Sequence, residues 1–295
     1  MLFINLYLIP ALALGSIYAL GASGISALFG ILRFAHFAHG DLMTVGAYGT
    51  LAAVMLLGLH PLAALPFGIG LAIIAALAAD RLFYRPLREL PTIYTVIASF
   101  GVALILRSLM QIVFGAQNRV YVEGVQMPLI LFDSIRISLL HAQAIVAAAV
   151  IAIGLHLLLT RTRMGRSMRA VADEPDLALA SGLDPERVIR FTWIMGASLA
   201  AIAGTLAGLD TDVHPNLGWN LLLAMFAAAI LGGIGKPMGA MAGGFIIGLA
   251  EELSAYPWIG SHALISPGYK SAVAFFIMVA LLLFRPQGLF KGRLL

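Results

Sequence analysis

Apolar runs of about 20 residues recur along the whole chain, and they constrain the fold more than any other feature. The candidate runs are residues 6–31, 41–59, 62–83, 92–114, 142–160, 188–209, 221–254 and 271–284. A helix of about 20 apolar residues crosses the hydrocarbon core of a bilayer. Only 11% of the residues are charged and 61% are apolar, which leaves too little polar surface for a water-soluble exterior. The sequence therefore predicts an integral membrane protein that is embedded in a lipid bilayer.

The cations are concentrated in particular connections between these runs. The segment 161–190 carries Arg161, Arg163, Arg166, Arg169, Arg187 and Arg190. The loop 81–91 is also basic, and the tail carries Arg285, Lys291 and Arg293. Cytoplasmic loops of membrane proteins carry an excess of Lys and Arg, so we predict that these three segments are cytoplasmic and that the mixed-charge loop 115–140 is external.

The run 221–254 conflicts with this orientation if it forms one helix, because the basic tail would then end outside. Its middle reads Gly232-Gly233-Ile234-Gly235-Lys236-Pro237-Met238-Gly239, and glycine and proline at this density break a helix. We therefore predict two short segments that meet at a cytoplasmic turn. A similar interruption occurs at 33–41. The predicted fold class is an all-α integral membrane protein with about eight to ten transmembrane helices, some broken or re-entrant, in a single transmembrane domain over 1–295.

Helix breaks at membrane depth point to function, because the backbone groups that they free need partners, and in transporters such breaks commonly lie beside the solute pathway. The pathway candidates at the two breaks are His36, His39, Asp41, Gly232, Gly233 and Gly235. The two histidines and the aspartate have no fourth metal ligand nearby in the sequence, so we predict no metal and no other cofactor. Arg107, inside the run 92–114, either extends to the external face or lines the pathway.

The segment 160–190 contains the start and stop signals of a short helix between two membrane spans. Asp173 can cap this helix, Glu174 and Pro175 can form its first turn, and Gly182 can end it. Asp184 and Pro185 then give the start signal of the next span. Leu177 and Leu179 would be apolar contacts for another protein. The alternative is a helical surface loop with no special role, and local sequence features do not separate the two.

Four blocks of the sequence resemble the permeases of branched-chain amino acid ABC importers, of the LivH and LivM type. The first block is the basic segment 161–184, which begins Arg161-Thr-Arg-Met-Gly-Arg. Three more agree with the LivH side: 34–49, 229–244 with Gly232-Gly-Ile-Gly-Lys-Pro-Met-Gly, and 284–290 with Phe284-Arg-Pro-Gln-Gly-Leu-Phe. The blocks occur in the family's order across nearly the whole chain. One departure is Arg33, which stands where the family often has Asn.

This resemblance implies a permease subunit that forms half of the pathway for branched-chain or related amino acids in the bacterial inner membrane. It implies a second, LivM-like permease, two cytoplasmic ATPase subunits and a periplasmic solute-binding protein as partners. It also places a cytoplasmic coupling segment at 161–187. The residues that would couple it to the ATPase are Arg166, Arg169, Asp173, Glu174, Pro175, Asp176, Leu177, Leu179 and Gly182.

The chain lacks the sequence signature of a phosphate-binding loop. Gly235-Lys236 is followed by Pro237, and Ile230 stands where the first glycine of such a loop belongs. ATP hydrolysis would then occur on another chain. No nucleophile with a paired base is evident, so we predict that the chain is not an enzyme, and its loop cations do not indicate nucleic-acid binding. The alternative function is a stand-alone secondary transporter of a small polar solute, which would need no coupling helix.

Overall fold

The computed structural model describes residues 3–122, 124, 129–131, 135–258, 265–285 and 287–290. Lys291 and Arg293 of the predicted cytoplasmic tail, and part of the predicted external loop 115–140, lie outside these residues. The helices in the described residues are α1 (Ile9–Leu32), α2 (His39–Leu57), α3 (Pro61–Ala79), α4 (Arg85–Leu87), α5 (Thr92–Phe114), α6 (Leu139–Arg161), α7 (Arg163–Asp173), α8 (Pro175–Ala180), α9 (Pro185–Asp210), α10 (Leu217–Gly232), α11 (Pro237–Ser254) and α12 (Lys270–Phe284).

Short elements extend or connect these helices. A π-helical turn at Ile4–Leu8 leads into α1, another at Asp80–Tyr84 joins α3 to α4, and a 3₁₀ turn at Pro267–Tyr269 precedes α12. Two three-residue strands, β1 (Leu129–Leu131) and β2 (Ile135–Ile137), pair antiparallel. The apolar-run analysis did not predict this hairpin, because strands of three residues leave no periodic signal.

Within the described residues, six helical stretches are long and apolar enough to cross a membrane, and they match six of the predicted runs closely. They are Ile4–Leu32, His39–Leu57, Pro61–Leu87, Thr92–Phe114, Leu139–Arg161 and Pro185–Asp210. The run 221–254 divides as predicted: α10 ends at Gly232, α11 begins at Pro237, and Gly233 and Gly235 have φ of +95° and +84° between them. These left-handed conformations favour glycine, which explains the break. The chain is therefore a multi-pass membrane protein.

Close backbone contact between α1 and α11 forms the centre of the bundle. A Cβ atom added at Gly244 would overlap the backbone of Ala19, and one added at Gly248 would overlap Gly15. Membrane helices gain little from the hydrophobic effect when they associate, so they depend on such close van der Waals packing between small residues. The many glycines of the sequence therefore hold the bundle together.

The first break turns the chain back along α1. Helix α1 ends at Arg33, which has φ +58° and donates its N–H to the carbonyl of Phe29. Residues 33–38 then reverse direction, so that the ring of His39 at the start of α2 lies against Gly24 of α1. At a helical rise of 1.5 Å per residue, Gly24 lies about 12 Å before the end of α1. Helix α2 thus begins inside the bundle rather than at its surface.

Candidate functional site

The cytoplasmic segment predicted to couple to an ATPase forms two short helices, α7 and α8. The side chain of Thr162 accepts a hydrogen bond from the N–H of Gly165 at 3.0 Å and so begins α7. Met168 and Val171 are buried beneath it. Asp173 was expected to cap α8, but it is the last residue of α7. The N-cap of α8 is instead Glu174, because α7 continues one residue further than the sequence suggested. The side chain of Glu174 makes no capping hydrogen bond.

The end of α8 follows the predicted stop signal. Gly182 has φ +81°, and no atom lies within 4 Å of the place its Cβ would occupy, so conformation rather than space requires glycine there. The N–H groups of Gly182 and Leu183 donate to the carbonyls of Leu179 and Ala178 at 3.0 and 3.1 Å. Asp184 then caps α9 by accepting a hydrogen bond from the N–H of Arg187 at 3.3 Å.

Helix α8 presents two leucines to solvent. Leu177 is 66% exposed and Leu179 is 60% exposed, whereas Ala178 between them is 4% exposed and packs inward. All of the predicted coupling residues are exposed: Arg166, Arg169, Asp173, Glu174, Pro175, Asp176, Leu177, Leu179 and Gly182. Leucines exposed together on an arginine-rich segment outside the apolar spans indicate a surface for contact with another protein.

Ionic and polar contacts connect the membrane helices at this end of the bundle and tie α7 to α1. The guanidinium of Arg88 bonds Asp80 at 2.6 Å and Glu186 at 2.5 Å, so it ties the end of α3 to the first turn of α9. Arg33, at the end of α1, donates to the carbonyl of Ala172 in α7 at 3.2 Å. The sequence analysis missed these links, because Arg88 and Glu186 are 98 residues apart and each looked like an ordinary loop charge.

His36 and His39, at the first break, are fully buried in an aromatic cluster. His36 Nε2 lies 3.0 Å from the hydroxyl of Tyr84, and its ring meets Trp193 edge-on at 5.0 Å. Tyr84 and Trp193 stack with 7° between their planes. His36 Nδ1 and Trp193 Nε1 have no hydrogen-bond partner in the described part of the chain. The cluster fixes residues 33–38 against α3 and α9.

Asp41, the third candidate at this break, forms an ion pair with Arg107 of α5. Arg107 Nε and Nη2 lie 3.0 and 3.1 Å from the two carboxylate oxygens, and the guanidinium sits 4.7 Å from the ring centroid of Trp219. The side chain of Asp41 is 1% exposed and that of Arg107 is 15% exposed. The side chain of Arg107 therefore points into the bundle, and its lining of the pathway stays a prediction. In the described residues, no three histidine or acidic side chains, these three included, converge as metal ligands.

The second break meets the end of α1. Gly232 and Gly233 are buried, and Gly235 lies against Gly30, where an added Cβ would sit 3.3 Å from the Gly235 Cα. The backbone of Leu289 donates to the carbonyl of Leu231 at 2.8 Å, so the C-terminal segment packs beneath this turn. Gly235 also lines a cavity of about 500 Å³ between α1, α7 and α11. Of the six pathway candidates, only Gly235 lines this cavity, and the two breaks contribute to separate sites.

Comparison with known proteins places the chain among transport permeases. The family model for the permease component of branched-chain amino acid transport systems matches residues 7–282. The chain is 31% identical to the high-affinity branched-chain amino acid permease BraD of Pseudomonas aeruginosa, over 96% of this chain and 94% of that protein. It is 32% identical to LivH of Escherichia coli K12, over 94% and 92%.

A more distant relative and a solved structure extend the comparison. The probable branched-chain amino acid permease LivH of Methanocaldococcus jannaschii is 30% identical over 95% of this chain and 90% of that protein. Among solved structures, PsaBC from Streptococcus pneumoniae in complex with Fab aligns with a TM-score of 0.52 and 13% identity, over 94% of this chain and 91% of that chain. At that identity the alignment shows a shared fold only.

Proposed function

Because this chain belongs to the family of branched-chain amino acid transport permeases, we propose that it forms half of the translocation pathway of an ATP-driven importer for branched-chain amino acids. The substrate class is that of the relatives BraD and LivH. The energy would come from ATPase subunits on separate chains, because this sequence carries no phosphate-binding loop.

The observation that carries this proposal is the exposed leucine pair of α8. Leu177 and Leu179 project from α8, which packs on α7 and α9; α7 is tied to α1 through Arg33, and the first turn of α9 is tied to the turn after α3 through Arg88 and Glu186. A helix braced in this way can transmit a displacement to α1, α3 and α9, whereas an unbraced loop would absorb it. Docking of an ATPase on α8 would therefore act on α1, which leads into the first break, and on α9.

The remaining partners follow from the same function. We propose a second, LivM-like permease beside this chain, two cytoplasmic ATPase subunits, a periplasmic solute-binding protein, and a location in the bacterial inner membrane. Residues 1–295 would form one transmembrane domain. We propose that the binding protein docks at the opposite end of α9, where Asp210 pairs with His141 at 2.9 Å and Asp212 accepts a hydrogen bond from Asn118. These groups form a polar rim at the predicted external face.

For the pathway itself, we propose that the Asp41–Arg107 pair lies beside the route of the solute. Trp219 over this pair is partly exposed, and Phe100, Leu104 and Leu223 form an exposed apolar surface on the same two helices, α5 and α10. A face of this kind fits contact with a second permease. His36 and His39 would position the start of α2, and Gly232, Gly233 and Gly235 would form the bend of the second break.

The experiment is co-purification and uptake with the double variant Leu177→Asp and Leu179→Asp. We expect loss of the ATPase subunits from the purified complex and at least a tenfold drop in uptake, because two charges replace the apolar contact. The matched control is Leu90→Asp, an exposed leucine between α4 and α5 on the same side of the bundle. Normal assembly and uptake by the double variant would contradict the coupling role. Uptake by this chain reconstituted alone would favour a secondary transporter instead.

A further inference from the structure

The cavity of about 500 Å³ at the end of α1 combines an apolar interior with two cations. Its walls are formed by Ala27, Ile31, Leu159, Met168, Met238 and Phe290, which come from α1, α6, α7, α11 and the C-terminal segment. Arg169 and Lys236 also line it, and both side chains are exposed. The cavity therefore has an apolar interior and a positively charged opening.

Arg169 and Lys236 each use only part of their N–H donors in the hydrogen bonds that they form within the described residues. Arg169 donates to the carbonyl of Leu159, and Lys236 Nζ donates to the carbonyl of Phe290 at 2.8 Å. Neither forms a salt bridge with an acidic side chain in the described part of the chain. A guanidinium has five N–H donors and an ammonium has three, so each group can still bind an anion. Within the described residues, no carboxylate therefore pairs directly with either cation.

The position of the cavity indicates which kind of anion it can bind. It lies where α1 and α6 end and α11 begins, on the arginine-rich side that the charge distribution assigns to the cytoplasm. Only 17% of the residues in the most apolar stretch of α6 are buried, so this adjacent helix turns most of its surface outward, where lipid of a surrounding bilayer would reach the cavity from the side. A small free anion would occupy the charged opening and leave the apolar walls unfilled. An anionic phospholipid would fill both parts, because its phosphate binds Arg and Lys and its acyl chain covers the apolar walls.

We propose that this cavity binds an anionic phospholipid of the cytoplasmic leaflet, with its phosphate between Arg169 and Lys236 and one acyl chain against Ile31, Leu159 and Met238. The lipid would connect α7 to the turn of the second break, since the two cations belong to these two elements. The proposal requires only that the chain is a membrane protein. It holds or fails independently of the transported substrate.

The test measures lipid retained by the full chain after purification in detergent and reconstitution with phosphatidylglycerol or phosphatidylcholine. Native mass spectrometry counts the bound lipids. We expect one tightly bound phosphatidylglycerol per chain and at least fivefold less with Arg169→Gln and Lys236→Gln combined. The matched control is Arg163→Gln with Arg187→Gln, which removes the same charge from exposed positions of the same basic segment and should retain the lipid.

A second variant tests the apolar half of the site without changing its charge. Met238→Trp places a larger side chain in the cavity, and we expect it to reduce bound phosphatidylglycerol by a similar factor. Millimolar inorganic phosphate should not displace the lipid. Retention of phosphatidylglycerol by the double glutamine variant at the level of the control would overturn the proposal. So would complete displacement by phosphate, since that result would indicate a simple anion site.

Discussion

The guanidinium of Arg107 holds both carboxylate oxygens of Asp41, at 3.0 and 3.1 Å, and thereby joins the middle of α5 to the first turn of α2. A buried ion pair is costly to desolvate and need not add stability, whereas an ionisable residue inside a membrane span is by default a candidate for function. The pair also fixes the point where α2 begins inside the bundle.

Removing one partner of this pair should destabilise the protein more than removing both. Asp41→Asn leaves the arginine uncompensated, and we expect a loss of about 3–5 kcal/mol in unfolding free energy. The double variant Asp41→Asn with Arg107→Met should recover part of that loss. Thermal unfolding in detergent measures the stability of the single and the double variant. Additive losses would mean that the two side chains do not interact energetically.

The two acidic partners of Arg88 should differ in their contribution. Asp80 is almost fully buried, whereas the side chain of Glu186 is 44% exposed and its attraction to Arg88 is screened by solvent. We expect Glu186→Gln to cost about 0–1 kcal/mol, and Asp80→Asn to cost clearly more. Melting temperatures of the two variants, which remove the same charge, provide the comparison. An equal or larger effect of Glu186→Gln would contradict this ranking.

Gly182 should be sensitive to alanine for conformational reasons alone. Its φ of +81° is strained for any residue with a Cβ, at a cost of about 1–2 kcal/mol, and no neighbouring atom would clash. The control is Gly154→Ala in α6, where the space around the Cβ position is equally open but the backbone is helical. That change should be neutral or stabilising. We expect only Gly182→Ala to increase hydrogen exchange in α8.

Gly244 should be sensitive to alanine for steric reasons. A Cβ at this position would overlap Ala19, and the two backbones can separate only if α1 and α11 move apart, which we expect to cost about 1–3 kcal/mol. Gly70→Ala in α3 is the control, because no atom lies within 4 Å of its Cβ position. The yield of folded protein and its melting temperature distinguish Gly244→Ala from Gly70→Ala. Equal tolerance would show that the α1–α11 contact adjusts freely.

The sequence predicted those features that depend on neighbouring residues. Apolar length located the spans, the glycine and proline cluster predicted the break between Gly232 and Pro237, and Gly182 predicted the end of α8. The sequence did not predict the pairs Asp41–Arg107 and Arg88–Glu186. Their partners lie 66 and 98 residues apart, and only the folded bundle brings them together. The cap of α8 was misassigned by one residue for a related reason. Helix α7 continues through Asp173, with Met168 and Val171 buried beneath it, and the local start signals of α8 do not include that continuation.

The contact between α1 and α11 also bears on biogenesis. Gly15 and Gly248 touch, yet 233 residues separate them in the chain. At a synthesis rate of about 5–20 residues per second, α1 emerges from the ribosome roughly 12–47 s before its partner. During that interval its glycine-rich face lacks the α11 surface against which it packs in the folded protein. The insertion machinery, lipid or another early helix must cover this face, and the order of helix assembly in the membrane cannot simply follow the order of translation.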